Sequence, residues 1–429
     1  MSDYSKSTSI VIIGAGVFGL STALELSKRG YANITVLDRR LPPVPDGSSV
    51  DVSRIIRPDY ADVFYARMGL DAVKGWTTDY APFFHRSGLL CVQSEGSTQH
   101  TYLEQSKQNL ESLGASVTIQ TFQGNEATSR YPGIHGDLSR TQGYWNTECG
   151  WADAEGSITH LAQKCSKAGV SFMTGRNGTV QNLITRGDSK TSKIIGVKTE
   201  AGTSVYADTV ILATGAWTPH LIDTGDRTIS TGQPVAFLQL TPEEAKEMQE
   251  CPVMIDLSTG WFAFPPTPGT NLLKMARHGY GFETTTTASN RQSNSSFSAP
   301  KMSSQSPFLP SDAEKSLREG LALFFPRFKD RPFVQRRLCW YTDTPKGNFI
   351  VDYHPEYEGL FLATGGSGHA FKFLPVLGRY VADSFERKAS QEQREIWAWT
   401  ATANRLSKGD GSRGGPPRRV LRPEEQACL

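Results

Sequence analysis

Gly14-Ala15-Gly16-Val17-Phe18-Gly19 stands between a β-branched run and a helix-forming segment, an order that few folds accept. The run from Ser9 to Gly14, SIVIIG, shows no polar alternation, as expected of a strand buried on both faces. Leu20 to Arg29 reads as a helix with Gly30 as its C-cap, and Ile34-Thr35-Val36-Leu37 as a second strand that ends in Asp38. Each part has a mechanical reason. Gly14 permits the tight turn, Gly16 lets the backbone approach a pyrophosphate, and Gly19 allows close packing of helix on strand. The amides that open the helix, around Val17 and Phe18, have no partners of their own and can face phosphate. Asp38 stands nineteen residues beyond Gly19, where an acid accepts hydrogen bonds from a ribose. A glycine-rich turn alone is weak; strand, turn, helix, strand and acid in order identify a dinucleotide site, without separating FAD from NAD.

With 429 residues there is material for two or three domains. The 45 basic and 43 acidic side chains leave a net charge of +2, too little to direct the chain to nucleic acid. No apolar stretch approaches the ~18 residues of a membrane helix. The opening MSDYSKSTS lacks the apolar core of a secretory signal, so a protein kept inside the cell is expected. The six cysteines are scattered, which points to a reducing compartment and no structural zinc or other metal. Ala427-Cys428-Leu429 ends in Leu as a peroxisomal address does but lacks its central basic residue, so a cytoplasmic or peroxisomal location is expected.

Ala207 to Trp217 is a further buried strand running into Ala213-Thr214-Gly215, an arrangement many FAD proteins carry beside the cofactor. Between these landmarks, 154–168 reads as a helix, 178–212 as a β-meander, 233–274 as antiparallel strands, 311–325 as a helix and 333–343 as a strand. The Ser/Thr/Asn-rich 284–306 reads as a long, mobile surface loop with little to bury. The Gly- and Pro-rich segment after Leu406 reads as loop rather than core. The expected fold class is α/β: a Rossmann-type FAD-binding domain from 8–80, 150–220 and 331–390, an α+β substrate domain with an antiparallel sheet from 81–149 and 221–330, and a tail from 407–429.

Four further motifs narrow this. Arg337-Leu338-Cys339-Trp340-Tyr341-Thr342-Asp343-Thr344-Pro345, Gly365-Gly366-Ser367-Gly368-His369-Ala370-Phe371-Lys372-Phe373, Ser53-Arg54-Ile55-Ile56-Arg57 and Leu273-Lys274-Met275-Ala276-Arg277-His278 together resemble the monomeric sarcosine oxidase family. That family of DAO-type amine oxidases includes the fungal saccharopine and pipecolate oxidases and the amadoriases. The resemblance runs from about residue 8 to 390. It implies FAD bound covalently through Cys339, with Ser48, Arg54, Gly366, Gly368 and Lys372 among its contacts. It implies that Lys274 activates oxygen, that Arg57 and Lys372 hold a substrate carboxylate, and that His278 shapes the pocket or favours the neutral amine.

The implied reaction is oxidation of a C–N bond in a small amine, hydride passing to flavin and electrons on to molecular oxygen to give hydrogen peroxide. The implied protein is a monomer with no nucleic-acid or membrane partner. His278 resembles the sarcosine members, since several amadoriases carry a glutamate there, and the expected substrate is a secondary-amine amino acid such as saccharopine, pipecolate or sarcosine. Two alternatives stay open: a fructosyl amino acid oxidase, because Ser412-Arg413-Gly414-Gly415-Pro416 is similar to an amadoriase tail motif, and a biosynthetic N-methyl or cyclic amine oxidase of fungal secondary metabolism. Ala370 departs from the family, which usually has Gly before Phe-Lys.

Overall fold

The computed structural model describes residues 5–97, 100–115, 119–187, 192–287, 296–301, 306–400 and 409–429. Among them a six-stranded sheet runs in the order Ile350–Tyr353, Leu360–Thr364, Thr209–Leu212, Ser9–Ile13, Asn33–Leu37, Ser171–Met173. All neighbours are parallel except the edge strand Ile350–Tyr353. The central strands are apolar on both faces because both are covered. Helices Val17–Lys28, Ala154–Lys167 and Leu374–Phe385 pack on one face. The meander Val180–Arg186, Ser192–Thr199 and Ser204–Tyr206 packs on the other.

The first helix starts at Val17, earlier than its composition implies, because the glycine turn feeds straight into it. The Ser49 hydroxyl accepts from Val17 N–H at 2.9 Å and so satisfies one of the helix's orphan donors. That helix crosses Leu374–Phe385 at Gly378, where any Cβ would strike the carbonyl of Ser21. Below the crossing, Phe349 meets Phe18 and Tyr65 edge-to-face, with centroids 5.4 and 5.3 Å apart. Such aromatic burial fixes the floor on which the turn after Thr364 rests.

The second layer is a ten-stranded mixed sheet. Its centre is the antiparallel set Ile229–Gln239, Leu272–Arg277 and Gln335–Asp343. Helix Ser311–Phe324 covers one face through Leu317, Leu321 and Phe324, and Trp261 stacks on Phe324 at 4.9 Å. The opposite face turns toward the first sheet, and the cleft between the two layers is the site described below.

Two expectations need correction. The segment 284–306 is not simply exposed: Thr284, Ser298 and Ala299 are buried, while 288–295 and 302–305 lie outside the described residues. Its polar side chains tolerate burial because each is bonded: Thr284 Oγ1 donates to Ala299 O at 2.7 Å, and Ser298 Oγ to Ser230 O at 2.5 Å. The tail is not loop throughout, although 401–408 lie outside the described residues. Arg419–Val420 pairs with Phe282–Glu283, Pro423–Ala427 is helical, and Ser412, Arg413 and Leu421 are buried.

Candidate active site

The cleft opens at the carboxyl ends of the parallel strands, where ligands bind in open α/β sheets. Gly14 follows Ser9–Ile13, Asp38 follows Asn33–Leu37, Ala213 and Thr214 follow Thr209–Leu212, and Gly366 lies just past Leu360–Thr364, and all line one cavity. Gly14 has φ +107°, and a Cβ there would meet the carbonyl of Ala213. A Cβ on Gly19 would run into the carbonyl of Gly14. Asp38 holds the turn: Oδ2 accepts from Ala15 N–H at 2.7 Å and Oδ1 from Arg39 N–H at 2.6 Å. Burial pushes this carboxyl up despite those bonds. Trp217 lines the same cavity with an indole N–H that is buried and has no partner among the described residues, a donor shaped for a bound acceptor. A side-chain-free turn, a strand-end acid and an unspent donor fit a dinucleotide.

Lys274 is 1% exposed, and its Nζ donates to Ser53 O at 2.6 Å and lies 2.9 Å from Asp51 Oδ2. Burial brings its pKa down to about 7 against the opposing pull of Asp51. Asp51 also receives Arg54 at 2.6 Å and Arg337 at 3.0 Å, and these three cations outweigh burial and hold its carboxyl far below the usual range. Arg54 reaches Cys339 Sγ at 3.9 Å and Ser48 O at 2.8 Å, while the Ser48 hydroxyl donates to Trp340 O. Cys339 is half-buried and lines the cavity beside Arg54 and Tyr341. Gly368, another cavity residue, has φ +75° against the Tyr341 ring.

Arg57 and Lys372 are both buried and both line the cavity. Tyr60, which sequence reasoning missed, joins them: Arg57 lies 4.9 Å over its ring, and Lys372 Nζ donates to its hydroxyl at 2.8 Å. His369 Nε2–H donates to Gly347 O at 2.7 Å, so Nδ1 accepts the Tyr60 hydroxyl proton at 3.0 Å. Burial, then Lys372, push His369 down to about 3, so the ring is neutral. Burial and Arg57 likewise push the Lys372 amine well below its ordinary value. Arg57 spends one nitrogen on the carbonyl of Asp59 and another on Tyr102 Oη at 3.0 Å, while the Asp59 carboxylate is taken by Asn146 at 2.9 Å and Cys149 at 3.1 Å. Among the described residues neither Arg57 nor Lys372 has an ion-pair partner. No signal in the Pro58-Asp59-Tyr60 loop marks Tyr60; only the fold brings it under both cations.

His278 also lines the cavity, its ring 5.8 Å from that of Tyr341. Burial and Arg413 hold it well below its ordinary value. Arg413 is not the solvated loop residue its surroundings suggest. It donates to both oxygens of Asp343, at 3.0 and 2.5 Å, and to the carbonyls of Gly279 and Ser367 at 2.8 and 3.0 Å. Ser412, beside it, does line the cavity. Ala370 presents its methyl to the cavity near Gly366, which narrows the space a glycine would leave.

The family model for FAD dependent oxidoreductases (DAO) matches residues 9–384. The chain is 34% identical over 406 residues to L-saccharopine oxidase of Schizosaccharomyces pombe, covering 92% of this chain and 93% of that protein. It is 26% identical to monomeric sarcosine oxidase of a Bacillus species, over 87% and 91% of the two chains. Among solved structures it is similar to fructosyl peptide oxidase from E. terrenum, with a TM-score of 0.87 and 31% identity over 97% of each chain.

Proposed function

The chain belongs to the DAO family of FAD-dependent oxidoreductases and is an amine or amino acid oxidase, and we propose that its substrate is a secondary-amine amino acid of the saccharopine, pipecolate or sarcosine kind. The observation that carries this reading is the pair Arg57 and Lys372: a buried guanidinium and a buried amine against Tyr60, whose charge a bound carboxylate would favour, with no carboxylate of the protein paired to either among the described residues. Buried charge without a partner is costly, and a substrate carboxylate is the group that offsets it. Arg57 can offer parallel N–H donors to a carboxylate, and Lys372, steadied by Tyr60, a second point of charge.

Bound FAD supplies the two-electron acceptor for the carbon beside the amine nitrogen and the route of those electrons to oxygen as hydrogen peroxide. The protein's part is positional. Arg57 and Lys372 fix the carboxylate, His278 presents a neutral imidazole, and Ala370 and Tyr341 wall the cavity. Lys274, buried and lining the same cavity, would offer a cation to the charge that develops on oxygen. Gly14, Gly16, Phe18 and Asp38 would hold the dinucleotide, the Val17 amide being already spent on the Ser49 hydroxyl contrary to expectation, and Ser48, Arg54, Gly366, Gly368 and Cys339 line the same cavity.

Peroxide release by purified enzyme offered saccharopine, pipecolate, sarcosine and a fructosyl amino acid tests the substrate class. Turnover of one of the first three is expected. Preference for the fructosyl compound, which the likeness to fructosyl peptide oxidase favours, would replace this reading. Silence on all four would point to a biosynthetic N-methyl or cyclic amine.

The second proposal is that Cys339 Sγ carries the flavin covalently. Its half-burial in the cavity, with the Arg54 guanidinium 3.9 Å from the sulfur, supports it. Acid precipitation is expected to leave the yellow colour in the wild-type pellet and to release it from Cys339→Ala. Colour in the wild-type supernatant would remove the link.

A further inference from the structure

The segment Asp410 to Gly415 enters the site from a part of the chain outside the span matched by the family model, and its polar groups form a directed chain. Ser412 Oγ lies 2.6 Å from Asp410 Oδ1 and 3.2 Å from His278 Nε2. Asp410 Oδ1 also accepts Ser412 N–H at 3.1 Å. A serine hydroxyl has one proton. The short bond to a carboxylate, which can only accept, takes it. Ser412 Oγ must therefore accept from His278, and Nε2 carries the imidazole proton.

The segment is held firmly enough to impose this. Arg413 is clamped to Asp343 and to the carbonyls of Gly279 and Ser367. Gly414 N–H donates to His278 O at 3.3 Å, and no Cβ fits there between Leu257 O and Gly260 N. The charged and titratable groups facing His278 are Arg413 and Asp410 from this segment, Lys372 and His369 from the turn Ala370–Phe373 and the residue before it, and Tyr341 from its strand. His278 Nδ1 makes no hydrogen bond to any described residue.

Resting on the proposed oxidation of a secondary amine, we propose that Asp410 and Ser412 are positioning residues that hold His278 as the Nε2–H tautomer, so that Nδ1 takes the proton from the substrate's ammonium nitrogen. The N–H bond of the ammonium breaks, the Nδ1–H bond forms, and the amine lone pair is freed for C–N oxidation. The ring becomes an imidazolium whose charge is balanced by Asp410 one hydroxyl away. Burial raises the Asp410 carboxyl, but the bonds from the Ser412 hydroxyl and amide favour its ionised form and bring it down.

Two measurements on the holoenzyme test this. The first needs no turnover: nitrogen-15 histidine spectra, with the His278 signal assigned by its loss in His278→Asn, are expected to show the Nε2–H tautomer in wild type and a mixture in Ser412→Ala. The Nδ1–H tautomer in wild type, or an unchanged spectrum in Ser412→Ala, overturns the proposal. The second is the pH profile of anaerobic bleaching by saccharopine. Removing the carboxylate in Asp410→Asn makes the ring a weaker base that is freed of its proton at lower pH, so the rising limb should move to lower pH by about one unit while the rate falls, a tenfold change in the proton-transfer equilibrium. Ser412→Thr should restore the wild-type profile that Ser412→Ala loses. A lower rate with an unmoved limb would mean a merely structural role and overturn the proposal. No bleaching of wild type by saccharopine, pipecolate or sarcosine would instead count against the substrate class, and the tautomer spectra would still decide the positioning.

Discussion

Lys274→Met is expected to slow reoxidation of the substrate-reduced enzyme by oxygen about 10²–10³-fold, the cost of removing one preorganised donor from a site of developing charge. Methionine keeps the length and volume of the stem against Phe264, over whose ring Nζ lies at 4.7 Å, so the local packing should hold. Asp51 is not orphaned by the change, because Arg54 and Arg337 remain on it at 2.6 and 3.0 Å. Anaerobic reduction by substrate should therefore change far less than reoxidation, and stopped-flow mixing of reduced enzyme with oxygenated buffer separates the two.

The pH sign follows from burial. Lys274, brought down to about 7, is charged below that pH and loses its proton as pH rises through it. Reoxidation in wild type should fall above about pH 7 and that dependence should vanish in the variant. Equal reoxidation rates in the two proteins would remove Lys274 from the oxygen step.

The parts of the site that sequence reasoning reaches are those whose cause is local. The glycine turn is legible because Gly14 and Gly19 meet steric demands of the neighbouring strands and turn, Gly16 sits against the Ser49 hydroxyl, and Asp38 follows at the end of the next strand. Lys274, Cys339 and Lys372 are legible only through motif resemblance; nothing in the local pattern of the strands that carry the first two, or of the turn that carries Lys372, distinguishes them from filler. Tyr60 and the segment from Asp410 are invisible for a physical reason. Glycine, proline and arginine between 409 and 419 read as solvent-facing, and Arg413 is buried only because Asp343 and two carbonyls, all distant in sequence, satisfy its guanidinium. Thr284 and Ser298 mislead in the same way. Polar composition signals exposure until long-range partners satisfy each group, and those partners are a property of the fold.

Arg57→Ala should lower kcat/KM for a carboxylate-bearing amine about 10²–10³-fold, taking the middle of the 2–5 kcal/mol lost when one member of a buried charge pair is removed. The effect should appear mainly in KM if the carboxylate is held equally in the bound and reacting states, and in kcat if it sets the approach of the reacting carbon. Lys372→Met should act in the same direction, and the two losses should not add. Both cations lie against Tyr60, so removing either disturbs the other's support.

Arg57→Lys separates charge from geometry. It keeps the cation but cannot offer two parallel donors, nor reach Tyr102 and the Asp59 carbonyl together as Arg57 does. It should recover only part of the loss. The control is a substrate whose carboxylate is replaced by a neutral amide: wild type and Arg57→Ala should handle it about equally poorly. A variant that retains full discrimination for the carboxylate would mean that Arg57 serves the fold through Tyr102 and Asp59, leaving Lys372 to carry recognition alone.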